Sequence, residues 1–552
     1  MNIVRMQILS IYKQRIISST YSQKAGYYLI LIACILFFGN HAISLWDQDE
    51  AAYAGFAKQM IESGNWLMPE FMWSEVHRKP PLHFWNIALS YKIFGVNEFA
   101  VRFPSVLSVL LTLSLLFWGT KKIWGEKQSF YGMVVLSTSL LVMSIAKVSV
   151  TDATLLLFTT LCAISMLHVL LYRSIGWVLI FWIGFAMALL TKGPPVILFT
   201  GVLAIILFVL HPNRMNLFRL HPWFFLPLAV LPLGYWGYLC TQTAAGKVFI
   251  DWMIDWYILK RVGGSVFGQT GPPGTHMAGL LIFFLPYFLY FPKAIYNGIR
   301  GLFNKENNES FLLAAWFVSG WFIYELTPSK LPAYVIAAHV PLSLLIAKLL
   351  LQETPKKGLL YVHILLNGII YLAFIAAPFY LELSAAIKTT FFIAGTGLLT
   401  SLFIVFRLQK HKKFLLYLVS HNLLFQLMLW CVMLPSAETL KNGSLRVARY
   451  IEENANRNSR IIIANNFAHP PSLPFYLKQR FKEVKGNYNI NELLQYYRMK
   501  DYVLILNQEQ TDQLKQYHPN LKYREIKPMF TDRIEQGGYY IVKSEQSTWN
   551  SQ

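Results

Sequence analysis

The chain has 552 residues, of which 55% are hydrophobic and 14% are charged, and its formal net charge is +21 at pH 7. A soluble protein carries about a quarter charged residues, so this composition excludes an ordinary soluble enzyme and predicts an integral membrane protein. The cations are spread over many short segments, as membrane topology and anionic lipid headgroups require, which argues against nucleic-acid binding.

Membrane-length apolar runs recur along the chain as far as Pro435. Because a helix needs about 20 apolar residues to cross a bilayer, we predict an α-helical polytopic membrane protein with about thirteen transmembrane helices. These lie at 27–45, 100–118, 128–146, 153–171, 176–190, 194–210, 221–240, 277–297, 310–326, 331–350, 359–378, 389–406 and 414–434. The first run follows a polar tail and lacks a small-residue cleavage site, which predicts a retained span.

Lys and Arg residues concentrate in the N-terminal tail and in alternate loops, which predicts that these segments are cytoplasmic. The intervening loops, at 47–79, 147–152, 192–193, 241–276 and 329–330, then face the opposite side. An odd number of spans places the C-terminal region on that outer side as well. The four cysteines lie in apolar spans without paired spacing, so we expect neither a disulfide framework nor a zinc motif.

The composition changes after Pro435, where charged and amide residues become common and apolar runs shorten to strand length. We predict a membrane domain at 1–438, with loop helices at about 47–95, and a small soluble α/β domain at 439–552. Predicted strands are 460–465, 502–506 and 539–542, and predicted helices are 490–498 and 508–516. This domain has two alternative roles. It could cover a site from outside, or it could be an appendage that stabilises the protein without contacting a ligand.

Acidic residues open the first outer loop, in the segment WDQDEAAYAGF. Ionisable groups at a membrane boundary are costly to desolvate, so Asp47, Asp49 and Glu50 are functional candidates. The alternative is a helix cap, because Asp47 and Glu50 have capping-box spacing. Asp152 lies at another outer loop and shares that spacing with Ser149, so the same two interpretations apply.

Four cations also emerge on the predicted outer side: Lys79, Lys192, Arg261 and Lys330. Positive-inside sorting does not place them there, which favours anion binding over the alternative of snorkelling anchors. Lys supplies a point charge and Arg a planar donor fork for phosphate oxygens. Since a carboxylate can accept a proton from an attacking hydroxyl, the set predicts group transfer from a lipid-borne phosphate.

Three further residues are accessory candidates. Arg78 precedes Lys79 directly. His276 borders a predicted span and could bind metal or phosphate or assist proton transfer, although a lone histidine is often structural. Tyr334 follows Lys330 by four residues and could hydrogen-bond the same phosphate if both share a helical face; it is equally an interface aromatic.

At these residues the sequence resembles the integral-membrane glycosyltransferases of the GT-C class, in the protein mannosyltransferase-like group that includes the lipid A aminoarabinose transferases. The resemblance covers about residues 46 to 350. The matching motifs, in order, are Asp49-Glu50 with Tyr53-Ala54, Lys79-Pro80-Pro81-Leu82, Asp152, Thr191-Lys192-Gly193 and Ser329-Lys330-Leu331-Pro332.

The resemblance implies a GT-C fold and a polyprenyl-phosphate sugar donor, which needs no nucleotide pocket. Asp49 would be the principal catalytic carboxylate, and Asp152 would assist it or orient the acceptor. The donor phosphate would be held by Lys79, Arg261, Lys330 and Tyr334. The acceptor would be lipid A or another glycolipid on the periplasmic face of a bacterial inner membrane.

Arg78 is a departure, because aminoarabinose transferases typically have a glutamate there that contributes to a metal site. A cation there opposes a divalent metal, so we do not predict metal dependence, and the sequence identifies no other cofactor. Protein hydroxyls are the alternative acceptor, as in protein O-mannosyltransferases. A lipid-linked sugar flippase or a structural scaffold is the alternative to an enzyme; the acidic juxtamembrane helix favours a transferase, since transport sites tend to lie near the midplane.

Overall fold

The computed structural model describes residues 20–46, 49–71, 77–256, 260, 270–285, 287–288, 290–303, 308–352, 357–411, 413–440, 443–456, 458–464, 472–478, 481–484, 489–527 and 538–545. The main elements in chain order are α1 (Tyr21–Phe37), α2 (Asp49–Ser63), α3 (Leu82–Phe94), α4 (Glu98–Trp124), α5 (Glu126–Ser137), α6 (Leu140–Lys147), α7 (Thr151–Tyr172), α8 (Ile175–Lys192), α9 (Pro194–Leu210), α10 (Pro222–Thr241), α11 (Ala244–Ile254), α12 (Thr275–Phe283), α13 (Phe291–Gly301), α14 (Asn308–Leu326), α15 (His339–Gln352), α16 (Lys357–Tyr380), α17 (Ala385–Arg407), α18 (Phe414–Leu427), α19 (Ser444–Asn454), β1 (Arg460–Ala464), α20 (Ser472–Tyr476), β2 (Phe481–Val484), α21 (Ile490–Arg498), β3 (Tyr502–Leu506), α22 (Gln508–Tyr517), β4 (Tyr523–Ile526) and β5 (Tyr539–Lys543). A 3-10 helix at Pro332–Ala338 precedes α15.

The chain forms two compact units, each built from two separate segments. The membrane unit comprises Met1–Asn40 and Lys79–Met433. The sheet unit comprises His41–Arg78 and Leu434–Gln552, so the first outer loop with α2 belongs to the same unit as the C-terminal region. The predicted domain division at residue 438 stays a prediction.

Long apolar helices dominate the membrane unit. In the described part of the chain, eight helices are long and apolar enough to cross a membrane, and α5 with α6, bent by 62°, would make a ninth. Helices α1 and α9 are apolar but shorter. The polytopic helical class is therefore confirmed, while the number thirteen stays a prediction.

The predicted span at 277–297 is not one continuous helix. It contains the end of α12 at Phe283, turns, and then α13, which has Pro292 in its first turn. Proline lacks the backbone N–H that a helix interior needs and fixes φ, so it favours a helix start over helix continuation. Apolar length alone does not reveal this break.

A five-stranded mixed sheet forms the core of the sheet unit, in the order β2-β1-β3-β5-β4. Strands β2, β1 and β3 are parallel, and β5 runs antiparallel to β3 and β4. Alternate side chains of the central strands enter two apolar clusters: Ile461 and Ile463 pack with α19, and Ile462 and Ala464 with α21. The predicted strands and helices of this region are present, and β2 and β4 are additional.

Candidate active site

The two neighbouring acids at the start of α2 have different environments. Glu50 is 1% exposed, and its carboxylate accepts the backbone N–H of Trp46 at 2.8 Å. Asp49 keeps half of its side chain exposed, and its Oδ1 lies 2.8 Å from Nδ1 of His77. The helix-start interpretation therefore fits Glu50, while the catalytic roles of both acids stay predictions. Asp47 lies outside the described residues.

The loop that follows α2 packs back against it. A Cβ on Gly55 would clash with the ring of Phe71, so glycine permits this close approach. Contacts within the sheet unit also hold α2 and the residues before it: Tyr476 Oη accepts the N–H of Leu45 at 2.7 Å. Lys58 donates to the carbonyl of Phe475 at 3.2 Å. The acidic helix is thus supported by the short helix α20.

In the membrane unit, His83 joins the KPPL segment to the start of α7. Its Nδ1 lies 3.3 Å from the hydroxyl of Thr154, and its Nε2 lies 3.3 Å from the hydroxyl of Ser149. Burial, together with the charge of Lys79, lowers the pKa of His83 to about 3. A neutral imidazole therefore links the segment of Lys79 to the turn that carries Asp152. His83 was not among the predicted site residues, although it directly follows the KPPL motif.

Asp152 forms an ion pair with Lys192, with 2.6 Å between Oδ1 and Nζ and most of both side chains buried. The residue before α7 is Val150, which has no polar atom with which to cap a helix. The capping-box interpretation of Asp152 is therefore wrong. Gly193, at φ 73°, ends α8 directly after Lys192, and Pro194 then starts α9, which fixes the position of this lysine at a helix end.

Lys330 is buried against the C-terminal end of α14. Its ammonium donates to the carbonyls of Tyr324 at 3.1 Å and Glu325 at 2.6 Å. Unpaired carbonyls at a helix C-terminus carry partial negative charge, which accounts for the attraction. The Nζ atom of Lys330 also lies 4.0 Å from Oε1 of the Glu325 carboxylate. Lys330 thus has a structural role in this state, and its predicted phosphate contact stays a prediction.

Glu325 is a second residue that was not predicted from the sequence. Its carboxylate accepts backbone N–H groups from Gly274 at 2.6 Å, His276 at 3.3 Å and Met277 at 3.2 Å. These groups begin α12, where free N–H groups and the helix dipole favour an anion. The sequence feature that could have indicated Glu325 is its position as an acidic residue five residues before Lys330.

His276 and Tyr334 lie beside this cluster. His276 Nε2 is 3.1 Å from the carbonyl of Leu331, and burial lowers the pKa of His276. The Tyr334 ring is 6.3 Å from that of His276 and 5.6 Å from that of Tyr324. Tyr334 belongs to a 3-10 helix that starts after Lys330, so the two do not share an α-helical face as the spacing had suggested.

Tyr324 connects the two clusters of the membrane unit. It is an electrostatic neighbour of both Tyr334 and Asp152, and its hydroxyl lies 3.5 Å from the carbonyl of Pro195. The structure therefore brings together Asp152, Lys192 and the Lys330 segment. Arg261 lies outside the described residues. Among those that are described, no three His, Cys, Asp or Glu side chains are placed to hold a metal ion.

Comparison with known proteins places these features in a family context. The family model for dolichyl-phosphate-mannose-protein mannosyltransferases matches residues 78–236, which include Lys79, Asp152 and Lys192. Among solved structures, ArnT from Cupriavidus metallidurans bound to undecaprenyl phosphate has a TM-score of 0.74 at 17% identity, covering 95% of this chain and 98% of that chain. The chain has the GT-C fold.

Curated relatives agree with this assignment. An undecaprenyl phosphate-alpha-4-amino-4-deoxy-L-arabinose arabinosyl transferase of Proteus mirabilis is 28% identical over 59% of this chain and 60% of its own length. A transferase of the same name from Erwinia tasmaniensis is 28% identical over 55% of each chain. The chain thus spans little more than half the length of these relatives. The predicted resemblance to GT-C aminoarabinose transferases is confirmed.

Proposed function

We propose that this GT-C protein transfers a sugar from a polyprenyl-phosphate donor to an envelope glycolipid such as lipid A. The names of its arabinosyl transferase relatives support an undecaprenyl-phosphate aminoarabinose donor. The observation that carries the proposal is that the segments of Lys79 and Lys330 and the Asp152–Lys192 pair belong to one unit, where Tyr324 and His83 connect them. Lysines gathered near a membrane boundary suit a lipid-borne phosphate, because their ammonium groups can donate to its anionic oxygens.

In this proposal Asp49 acts as the general base. Its carboxylate accepts the proton of the acceptor hydroxyl as that oxygen attacks the anomeric carbon of the donor sugar. The bond from the anomeric carbon to the phosphate oxygen breaks, and polyprenyl phosphate leaves with the electron pair. Lys79, Arg261 and Lys330, with Tyr334, would stabilise the leaving phosphate. Asp152 would orient the acceptor, held in place by Lys192.

The proposed location is the bacterial inner membrane, with the sheet unit on the periplasmic side. The charge bias of the loops supports this orientation. The mixed sheet, being soluble in composition, suits an aqueous compartment. Contacts of α20 with Leu45 and Lys58, all within the sheet unit, support a role in holding the acidic loop.

Turnover in liposomes tests the function directly. Purified protein is supplied with undecaprenyl-phosphate aminoarabinose and lipid A, and mass spectrometry measures modified lipid A and released undecaprenyl phosphate. We expect both products in equal amounts. The Asp49→Asn variant should have a kcat that is lower by about 100-fold or more, because the amide cannot accept the proton of the acceptor hydroxyl. The control is Asp512→Asn, another half-exposed acid with a basic partner.

Other outcomes separate the alternatives. A flippase would move the donor across the bilayer with its glycosyl-phosphate bond intact. A protein O-mannosyltransferase-like enzyme would modify peptide hydroxyls and leave lipid A unchanged. A scaffold would leave every substrate unchanged, and full activity of the Asp49→Asn variant would remove the catalytic assignment.

A further inference from the structure

The contact between Asp49 and His77 lies inside the sheet unit and was not anticipated from the sequence. Nδ1 of the imidazole is 2.8 Å from Oδ1 of the carboxylate. The two side chains differ in exposure: His77 is 14% exposed and Asp49 is 51% exposed. The histidine is therefore fixed by its surroundings, whereas the acid remains accessible to a reactant.

Other contacts lie along the same helix. Phe71 lies against Gly55, six residues after Asp49 in α2. His77 then contacts the first residue of α2. Glu50, next to Asp49, accepts the Trp46 N–H and so fixes the first turn of the helix. The residue next to Asp49 is thus fixed by a backbone contact, and most of the His77 side chain is buried.

An ionised carboxylate can only accept hydrogen bonds, so Nδ1 of His77 carries the hydrogen in this pair. Such charge-assisted bonds are stronger than neutral ones. Anchoring Oδ1 fixes the plane of the carboxylate and therefore the direction of its second oxygen. A general base must lie within hydrogen-bond reach of the proton that it removes, so this orientation bears directly on catalysis.

We propose that His77 is the positioning residue for Asp49. The inference rests on the proposed function, because it assigns the orientation of the base in that reaction. His77 keeps its own proton throughout, and the proton of the acceptor hydroxyl goes to Asp49. His77 contributes to kcat through Asp49 and touches neither the donor nor the acceptor.

Two amide variants distinguish a positioning role from a packing role. In His77→Asn the amide nitrogen takes the place of Nδ1, and in His77→Gln it takes the place of Nε2. We expect kcat of His77→Gln and His77→Ala to fall about 100-fold, since small misplacement of a catalytic group costs about that much. The KM for the donor should stay unchanged, and kcat of His77→Asn should stay well above that of both other variants.

A double variant tests the same idea without relying on fine differences in folding. If His77 acts only through Asp49, adding His77→Gln to Asp49→Asn should lower kcat no further. A further loss in the double variant would overturn the proposal, as would equal kcat in the Asn and Gln variants. Wild-type protein is assayed first: absence of turnover there defeats the proposed function itself, whereas normal kcat in His77→Ala defeats only the positioning role.

Discussion

Asp152 and Lys192, predicted separately as a functional acid and an anion-binding cation, form an ion pair with each other. The pair has the same 2.6 Å separation as the exposed pair of Glu452 and Lys478. Exposed pairs contribute about 0–1 kcal/mol, whereas breaking a buried pair costs about 3–5 kcal/mol. The burial of Asp152 and Lys192 therefore decides their importance for stability.

Removing one member of the buried pair should be more harmful than removing both. We expect Lys192→Met to lower the free energy of unfolding by about 2 kcal/mol, between the exposed and buried cases. Adding Asp152→Asn should restore much of that loss, while activity stays low. Lys478→Met is the control and should change stability by about 0.5 kcal/mol or less. Denaturant unfolding in detergent measures the differences, and equal effects of the two lysines would contradict the argument.

The residues that the sequence missed have a common physical origin. Asp49, Asp152 and the lysines stood out because they are charged at predicted membrane boundaries, which is a local property. His77, His83 and Glu325 acquire their roles from partners that are distant in the chain or from backbone N–H groups. No local pattern encodes such pairing, so the candidate charges could be found but their partners could not.

At the scale of elements, Gly55 controls how the first outer loop rests on α2. Alanine is normally favoured over glycine inside a helix by about 1 kcal/mol. At Gly55, however, the added methyl group would meet the ring of Phe71, and overpacking costs about 1–3 kcal/mol.

We therefore expect Gly55→Ala to lower the melting temperature and the activity. The double variant with Phe71→Ala should recover part of the melting temperature, because the smaller side chain removes the clash. Gly26→Ala is the matched control in α1, where nothing lies within 4 Å of the added atom. Thermal unfolding followed by fluorescence measures the melting temperatures. A higher melting temperature for Gly55→Ala than for the wild type would refute the close packing of Phe71 against Gly55.

The sheet shows which strands a sequence pattern can reveal. The predicted strands β1, β3 and β5 are central and apolar, and they occupy adjacent positions in the sheet. The missed strands β2 and β4 are the two edges, with sequences FKEV and YREI. Edge strands carry charged residues that discourage pairing with other chains, and that same property hides them from a search for hydrophobic runs.

At the scale of the whole molecule, the polytopic class follows from composition, while the grouping of segments does not. Residues His41–Arg78 belong with the C-terminal region although the entire segment Lys79–Met433 lies between them in the chain. The length of an apolar run is a local property, so such runs can be counted directly along the sequence. Association of distant segments depends on tertiary contacts, such as that of Tyr476 with Leu45, and leaves no periodic signal.

The proposed orientation can be tested with single cysteines in a background that lacks the four native ones. Tyr517→Cys places a thiol at an exposed site of the sheet unit, and Phe303→Cys at an exposed site of a predicted cytoplasmic loop. A membrane-impermeant maleimide should label Tyr517→Cys in cells with a permeabilised outer membrane. Phe303→Cys should react only after the inner membrane is disrupted. The reverse pattern would invert the topology.

The divided origin of the sheet unit has a consequence for biogenesis. The ribosome releases Leu45 and α2 early in synthesis. Their partners, Tyr476 for Leu45 and Phe475 for Lys58, are made only after the membrane helices have been synthesised. Nascent chains therefore expose an unsupported acidic loop for most of translation. A stop codon between Leu434 and Phe475 would leave the membrane unit complete but remove the partners of Leu45 and Lys58, so we expect such a chain to retain its membrane helices and to lose this support for α2.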